Sequence, residues 1–157
     1  MARTHGFTLV ELLIVVVFIA LFAATVVPAL SERDEEAKIA AAQNVVRGVA
    51  RQIERYRAQH DEWPPRVQAE WFRGHKLPIN PLEPDHPRSI DEDNDAGGRT
   101  EKWHPTGKTT ASWPFWYNPS NGSIRIRVPE QATREETLAL YNLVNGTDAK
   151  SMGDIKK

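Results

Sequence analysis

The most constraining feature of this sequence is an almost wholly apolar run over residues 7–30 that contains a single carboxylate, Glu11. As a helix this run would be about 36 Å long, enough to cross a hydrocarbon core of about 30 Å. Arg3 and His5 precede the run, whereas acidic residues crowd the segment that follows it. Because positive charge favours the cytoplasmic side, the sequence predicts a membrane helix with its N-terminus in the cytoplasm.

Three interpretations of this run compete. A secretory signal peptide has an apolar stretch of about 7–15 residues, and this run is too long for one. A plain anchor explains the length and the charge bias but not Glu11, because a carboxylate at mid-bilayer costs about 2.5–3.5 kcal/mol. A cut between Gly6 and Phe7 would create an amine four residues before Glu11. In a bundle of such helices, the Phe7 amine of one subunit would neutralise Glu11 of its neighbour and set their axial register.

The string GFTLVEL at residues 6–12 resembles the processing site of type IV prepilins and of the pseudopilins of type II secretion. The resemblance implies that a prepilin peptidase cuts after Gly6 and methylates the new N-terminal Phe7. Pro28 lies where members of this family commonly carry a helix-bending proline. A proline there also simply kinks the helix or marks its exit from the membrane.

The resemblance also implies a set of partners. These are further copies of the chain or related pilins in a filament, the prepilin peptidase, an assembly ATPase, a platform protein and the inner membrane. The head would then lie in the periplasm or outside the cell. The net charge of -1 gives no reason to expect nucleic acid as a partner.

Residues 31–60 read as an amphipathic continuation of the helix with one narrow apolar stripe. The stripe consists of Ile39, Ala42, Val46, Val49, Ile53 and Tyr56. This 3–4 spacing also suits a coiled coil, but it lasts under three heptads, which favours packing against a sheet of the same chain. The arginines at positions 47–57 are interpreted as a solvated helix face rather than a nucleic-acid patch.

The pattern of the remaining residues predicts a small globular domain, which we call the head. Residues 83–108 read as loop, and residues 114–128 read as a β-hairpin that turns over 118–122. The alternation predicts that Ile124, Ile126 and Val128 face the long helix, while Arg125 and Arg127 face solvent.

A last helix is predicted after the hairpin. Thr133 and Glu136 form a capping-box pattern at its start, and Gly146 stands at its end. The predicted fold class is therefore α+β: a long N-terminal helix packed on a small antiparallel sheet, with a short C-terminal helix. The predicted segments are a leader (1–6), a membrane or filament-core helix (7–30), its amphipathic continuation (31–60), the head (61–146) and a mobile tail (147–157).

Few residues suggest a catalytic site, a metal site or a ligand-binding site. Asp91, Asp93 and Asp95 have the alternate spacing of a calcium loop, but Ala96 and Lys102 replace the glycine and the bidentate glutamate of an EF-hand. A solvated acidic loop is therefore favoured over calcium, and no metal or cofactor is assigned. The absence of cysteine excludes disulfides and thiolate sites. The tryptophans are interpreted as core residues rather than as a carbohydrate or single-stranded DNA platform.

These patterns favour a structural subunit of a type II secretion pseudopilus, without enzymatic activity. Two alternatives stay open. One is a type IV pilin that serves adhesion, motility or DNA uptake, and the other is a membrane-tethered binding module that never polymerises.

Overall fold

The computed structural model describes residues 8–92, 101–102, 113–151 and 155–156, with side chains for residues 8–24, 33–92 and 113–151. The chain divides into two compact units, Met1–Ala37 and Lys38–Lys157. Helix α1, Leu9–His60, begins in the first unit and ends in the second.

Short elements follow α1 in the second unit. They are a 3-10 helix (Ala69–Trp71), β1 (Ile90–Glu92), β2 (Glu101–Lys102), β3 (Phe115–Asn118), β4 (Ser123–Ile126), α2 (Arg134–Asn145) and β5 (Ile155–Lys156). One sheet has the order β1-β3-β4, and β2 pairs with β5 in another. The α+β class is confirmed. The prediction of an antiparallel sheet is wrong in part, because β1 runs parallel to β3 while β4 runs antiparallel to it.

The apolar stripe of α1 packs into the core of the second unit, as predicted. Its central members Ala42, Val46, Val49 and Ile53 are buried. They share one cluster with side chains from the sheet, from α2 and from the segment after α1, namely Val67, Phe115, Tyr117, Ile124, Ile126, Val128, Tyr141 and Val144. The helix continuation is thus covered by its own head, which is the arrangement that its short heptad pattern favoured over a coiled coil.

Strands β3 and β4 form the predicted hairpin. Tyr117 lies opposite Ile124, and both side chains are buried. At the turn, the Asn118 side chain accepts a hydrogen bond from the backbone of Ser120 (2.8 Å). Gly122 closes the turn by donating to the Asn118 carbonyl (2.9 Å), with a left-handed φ of 73°. The turn residues predicted from the sequence therefore make the hairpin through their own side chains and backbone.

Helix α2 begins and ends where the sequence predicted. Thr133 and Glu136 form a full capping box at its start, and Gly146 ends it in the left-handed conformation. The Asn145 side chain accepts a hydrogen bond from the Ile126 amide (2.7 Å) and donates one to the Ile126 carbonyl (3.0 Å). This bidentate contact ties the last turn of α2 to the end of β4.

One sequence prediction needs revision in this unit. The segment 83–108 was expected to be loop, yet it contributes β1 and β2, which are too short to show a periodic pattern. The described contacts also continue beyond Gly146. The Asn142 side chain accepts from the Thr147 hydroxyl (2.8 Å) and the Ala149 amide (3.0 Å), and β5 pairs with β2.

Gly122→Ala tests the hairpin turn. A methyl group at Gly122 would overlap the Trp63 ring, and the left-handed φ disfavours any side chain. We expect a loss of about 2–4 kcal/mol in the free energy of unfolding, from backbone strain plus overpacking. Urea unfolding followed by tryptophan fluorescence measures it.

Gly146→Ala is the matched control, since Gly146 has a similar φ of 65° but no heavy atom within 4 Å of the added methyl group. It should lose only the strain contribution, about 1–2 kcal/mol. Equal losses at the two positions would contradict the Trp63 contact.

Candidate assembly surface

The first part of α1 exposes large apolar side chains on every side of the helix. They are 46–81% exposed and comprise Leu9, Val10, Leu12, Leu13, Ile14, Val15, Val16, Val17, Phe18, Ile19, Leu21 and Phe22. A helix that is apolar all round is stable only when lipid or other protein covers it. We call residues 9–22 the apolar surface of α1.

A capping box lies at the N-terminus of α1, where the apolar surface begins. The Glu11 Oε2 atom accepts hydrogen bonds from the Thr8 amide (2.9 Å) and the Thr8 hydroxyl (2.8 Å), while the Glu11 amide donates to that hydroxyl (3.2 Å). Thr8 and Glu11 thereby satisfy backbone donors that the first turn of a helix leaves without partners.

The structure therefore gives Glu11 a helix-capping role that was not predicted from the sequence. The sequence does contain the pattern for it, because Thr8 and Glu11 have the same Thr-x-x-Glu spacing as the capping box predicted at α2. Within the described residues, these contacts use Oε2 and leave Oε1 without a hydrogen bond. Both of these hydrogen bonds to the carboxylate therefore fall on the same oxygen, Oε2.

Not every predicted assembly residue can be placed. Gly6 and Phe7 lie outside the described residues. Pro28 falls within α1, but its side chain lies outside the described part. Among the helices of the described residues, none contains a stretch long and apolar enough to qualify as a membrane span.

The acidic segment is described only at its start. Asp91 lies in β1 opposite Trp116 of β3, whereas Asp93 and Asp95 lie outside the described residues. In the part of the chain that the structure describes, no group of three or more histidine or acidic side chains is arranged to hold a metal ion. The calcium alternative therefore gains no support from the described residues.

The described tryptophans lie mainly against the core. Trp63 and Trp71 are partly buried and pack on the apolar cluster, and Trp116 is buried. Arg57 stacks over Trp63 at 4.2 Å from the ring centroid. Trp113 is more exposed than these three tryptophans, at 43%. Trp103 lies outside the described residues.

A buried ion pair in the head corrects a sequence prediction. Arg127 was expected to face solvent, but its side chain is only 3% exposed, and its Nε lies 3.2 Å from Oε2 of Glu83, which is 7% exposed. The chain leaves β4 at Ile126, and the Arg127 amide donates to the Pro114 carbonyl (3.0 Å). Buried Asn80 donates to the Arg127 carbonyl (2.9 Å), which fixes the backbone at this position.

Burial dominates the electrostatics of this pair. Desolvation raises the pKa of Glu83 above its ordinary value, although the positive charge of Arg127 and contact with His86 act in the opposite direction. Desolvation likewise lowers the pKa of Arg127, which Glu83 partly offsets. The pair is thus a structural element inside the head rather than a surface site.

Comparison with known proteins gives one informative match. The chain is 33% identical over 62 residues to the type II secretion system core protein G of Pseudomonas aeruginosa. The matched segment covers 40% of this chain and 44% of that protein, so it spans less than half of the relative. No family model matches the chain, and no solved structure matches it.

The relative belongs to the kind of secretion system whose pseudopilins the sequence resembles. The relative's name assigns it to a type II secretion system and mentions no enzymatic activity. The match therefore supports the pseudopilin family.

The raised pKa of Glu83 predicts a specific pH dependence. As pH rises above about 4.5, the ordinary value of this carboxyl, the unfolded chain releases the proton before the folded chain does. This carboxyl therefore lowers the free energy of unfolding as pH rises through that interval, by about 1.4 kcal/mol per unit of separation between the two pKa values. Glu83→Gln should lack this decrease.

The measurement is urea unfolding of the wild type and Glu83→Gln at several pH values in the acid range. The stability of the variant relative to the wild type should increase with pH and then level off. Glu62→Gln, at an exposed position, is the control and should follow the wild type. A constant difference between Glu83→Gln and the wild type across that range would contradict the raised pKa.

Proposed function

We propose that this chain is a structural subunit of a type II secretion pseudopilus. Its N-terminal helix inserts into the inner membrane with the N-terminus in the cytoplasm and the head outside. An assembly ATPase and a platform protein then lift subunits into a filament of this chain or related pilins. The work of the subunit is mechanical, since the filament pushes or displays cargo.

The observation that carries this proposal is the apolar surface of α1, with its single carboxylate at Glu11. Lipid covers such a surface before assembly, and the equivalent helices of neighbouring subunits cover it in a filament. The similarity to a type II secretion system core protein supports the secretion system over other pilus systems.

The proposed processing is cleavage between Gly6 and Phe7, followed by methylation of Phe7. The capping box is compatible with this step, because Thr8 and Glu11 both lie after the cleaved bond. In the filament, the Phe7 amine of one subunit forms an ion pair with the Glu11 Oε1 atom of the neighbouring subunit. The Oε2 atom of that Glu11 continues to cap the helix to which it belongs. A buried carboxylate with an ammonium partner is tolerated where an isolated one is not.

The proposed segments follow from this scheme. Residues 1–6 are the leader, 7–30 the membrane and filament-core helix with Pro28 near its end, and 31–60 the amphipathic continuation. Residues 61–146 form the head, and 147–157 form the tail.

Two other functions share most of these features. A type IV pilin would use the same helix for adhesion, motility or DNA uptake, and a membrane-tethered binding module would use it only as an anchor. The binding module differs in one measurable property, because a mere anchor does not need the charge of Glu11.

Three variants separate the charge of Glu11 from its capping role. Glu11→Gln keeps an oxygen that accepts from Thr8 but removes the charge, Thr8→Val removes the hydroxyl of the cap, and Glu11→Leu removes both. We expect Glu11→Gln and Glu11→Leu to lose filaments at least about tenfold, because the Phe7 amine then lacks its partner. Thr8→Val should retain filaments, at a cost of about 0.5–2 kcal/mol in helix stability.

Filament yield in a sheared surface fraction measures assembly, and the amount of chain in washed membranes controls for insertion. All three variants should remain in the membrane fraction at least as well as the wild type. Normal filaments from Glu11→Gln together with loss in Thr8→Val would make Glu11 a helix cap alone and would contradict the register pairing.

A further inference from the structure

Three arginines follow one face of α1 in the second unit. Arg47, Arg51 and Arg55 are spaced four residues apart, so their side chains lie in a row, and all three are exposed. Arg73, from the segment that follows the 3-10 helix, is also exposed and lines the same groove as Arg51. We call these four residues the arginine row.

The row borders a groove between α1 and the segment that carries Trp71. The groove consists of two adjoining depressions of about 310 and 300 Å³, which share Gln52 and Trp71. One depression is lined by Arg55 and Glu70, and the other by Arg51 and Arg73 together with apolar side chains. The groove is therefore lined by both polar and apolar side chains, with guanidinium groups among them.

The arginine row is a surface of like charge. Like charges four residues apart on a helix repel each other. In the part of the chain that the structure describes, none of the four arginines has an ion-pair contact, and Glu70 is the acidic residue that lines the groove. A partner that carries carboxylates would relieve this repulsion.

The same chain carries a complementary segment. Asp34, Glu35 and Glu36 are consecutive in α1, exposed, and without an ion-pair contact among the described residues. Arg33 and Lys38 flank this segment, so its negative charge is confined to one turn of helix. Since the whole chain has a net charge of only -1, the opposite charges are separated along the chain rather than unequal in number.

We propose that the arginine row binds the acidic turn, residues 34–36, of a second copy of this chain. This inference rests on the proposed function, because a filament brings many copies of the chain together. A second copy is the partner with matching charge, since each copy carries both the arginine row and the acidic turn. Such a contact would fix the position of one head relative to the next copy along the filament.

The absence of cysteine makes a direct test simple. Glu35→Cys and Arg51→Cys variants are expressed together, each with a different tag, and treated in cells with a short bis-maleimide. The proposal predicts a crosslinked dimer that carries both tags. Glu35→Cys paired with Ala139→Cys, at an exposed position on α2, is the matched control and should give about tenfold less of the mixed dimer. Equal yields from the two pairs would overturn the proposal.

Charge reversal provides an independent readout. Arg51→Glu with Arg55→Glu should reduce filament yield about tenfold, and adding Glu35→Arg and Glu36→Arg should restore most of it. Arg66→Glu, at an exposed position outside the groove, should leave the yield unchanged. Normal filaments from the double arginine variant would overturn this proposal and leave the proposed function intact. Absence of filaments from the wild-type chain would instead contradict the proposed function.

Discussion

The structure depends first on how the apolar surface of α1 is kept from water. Twelve large apolar side chains of residues 9–22 are exposed in the isolated chain. At about 25 cal/mol per Å² of apolar area, leaving such a surface in water costs more than the net stability of a typical domain. Such a surface is stable when lipid or other protein covers it, and the proposed pseudopilus subunit would meet both environments.

The head is stabilised differently. Its core is small and is built from four aliphatic side chains of α1, the β3–β4 hairpin and α2, without any disulfide. Polar side chains then connect these elements: Asn145 ties α2 to β4, and Asn80 holds the backbone that positions Arg127. The buried pair of Glu83 and Arg127 is weak as a source of stability, since desolvation opposes both charges. Its geometry instead specifies where the segment after α1 meets the end of the hairpin.

Patterns in the sequence predicted those elements whose contacts lie within a short stretch of the chain. The stripe from Ala42 to Ile53, the turn ended by Gly122 and the capping box of Thr133 each lie within one helix or one hairpin, and each was confirmed. Strand β1 was missed because three residues show no period, and its parallel partner lies far along the chain. Arg127 was misplaced because alternation along β4 cannot reveal a carboxylate supplied by a distant loop. The capping role of Glu11 follows from a local pattern, the Thr-x-x-Glu spacing of Thr8 and Glu11, which lies inside the apolar run.

A role in a secretion pseudopilus is tested by the protein content of the culture medium. A strain that lacks this chain is compared with its parent and with strains complemented by the wild-type chain or by Glu11→Leu. We expect specific secreted proteins to remain inside the cells of the deletion strain and of the Glu11→Leu strain, and to return to the medium with the wild-type chain. An unchanged set of secreted proteins in the deletion strain would contradict the secretion assignment.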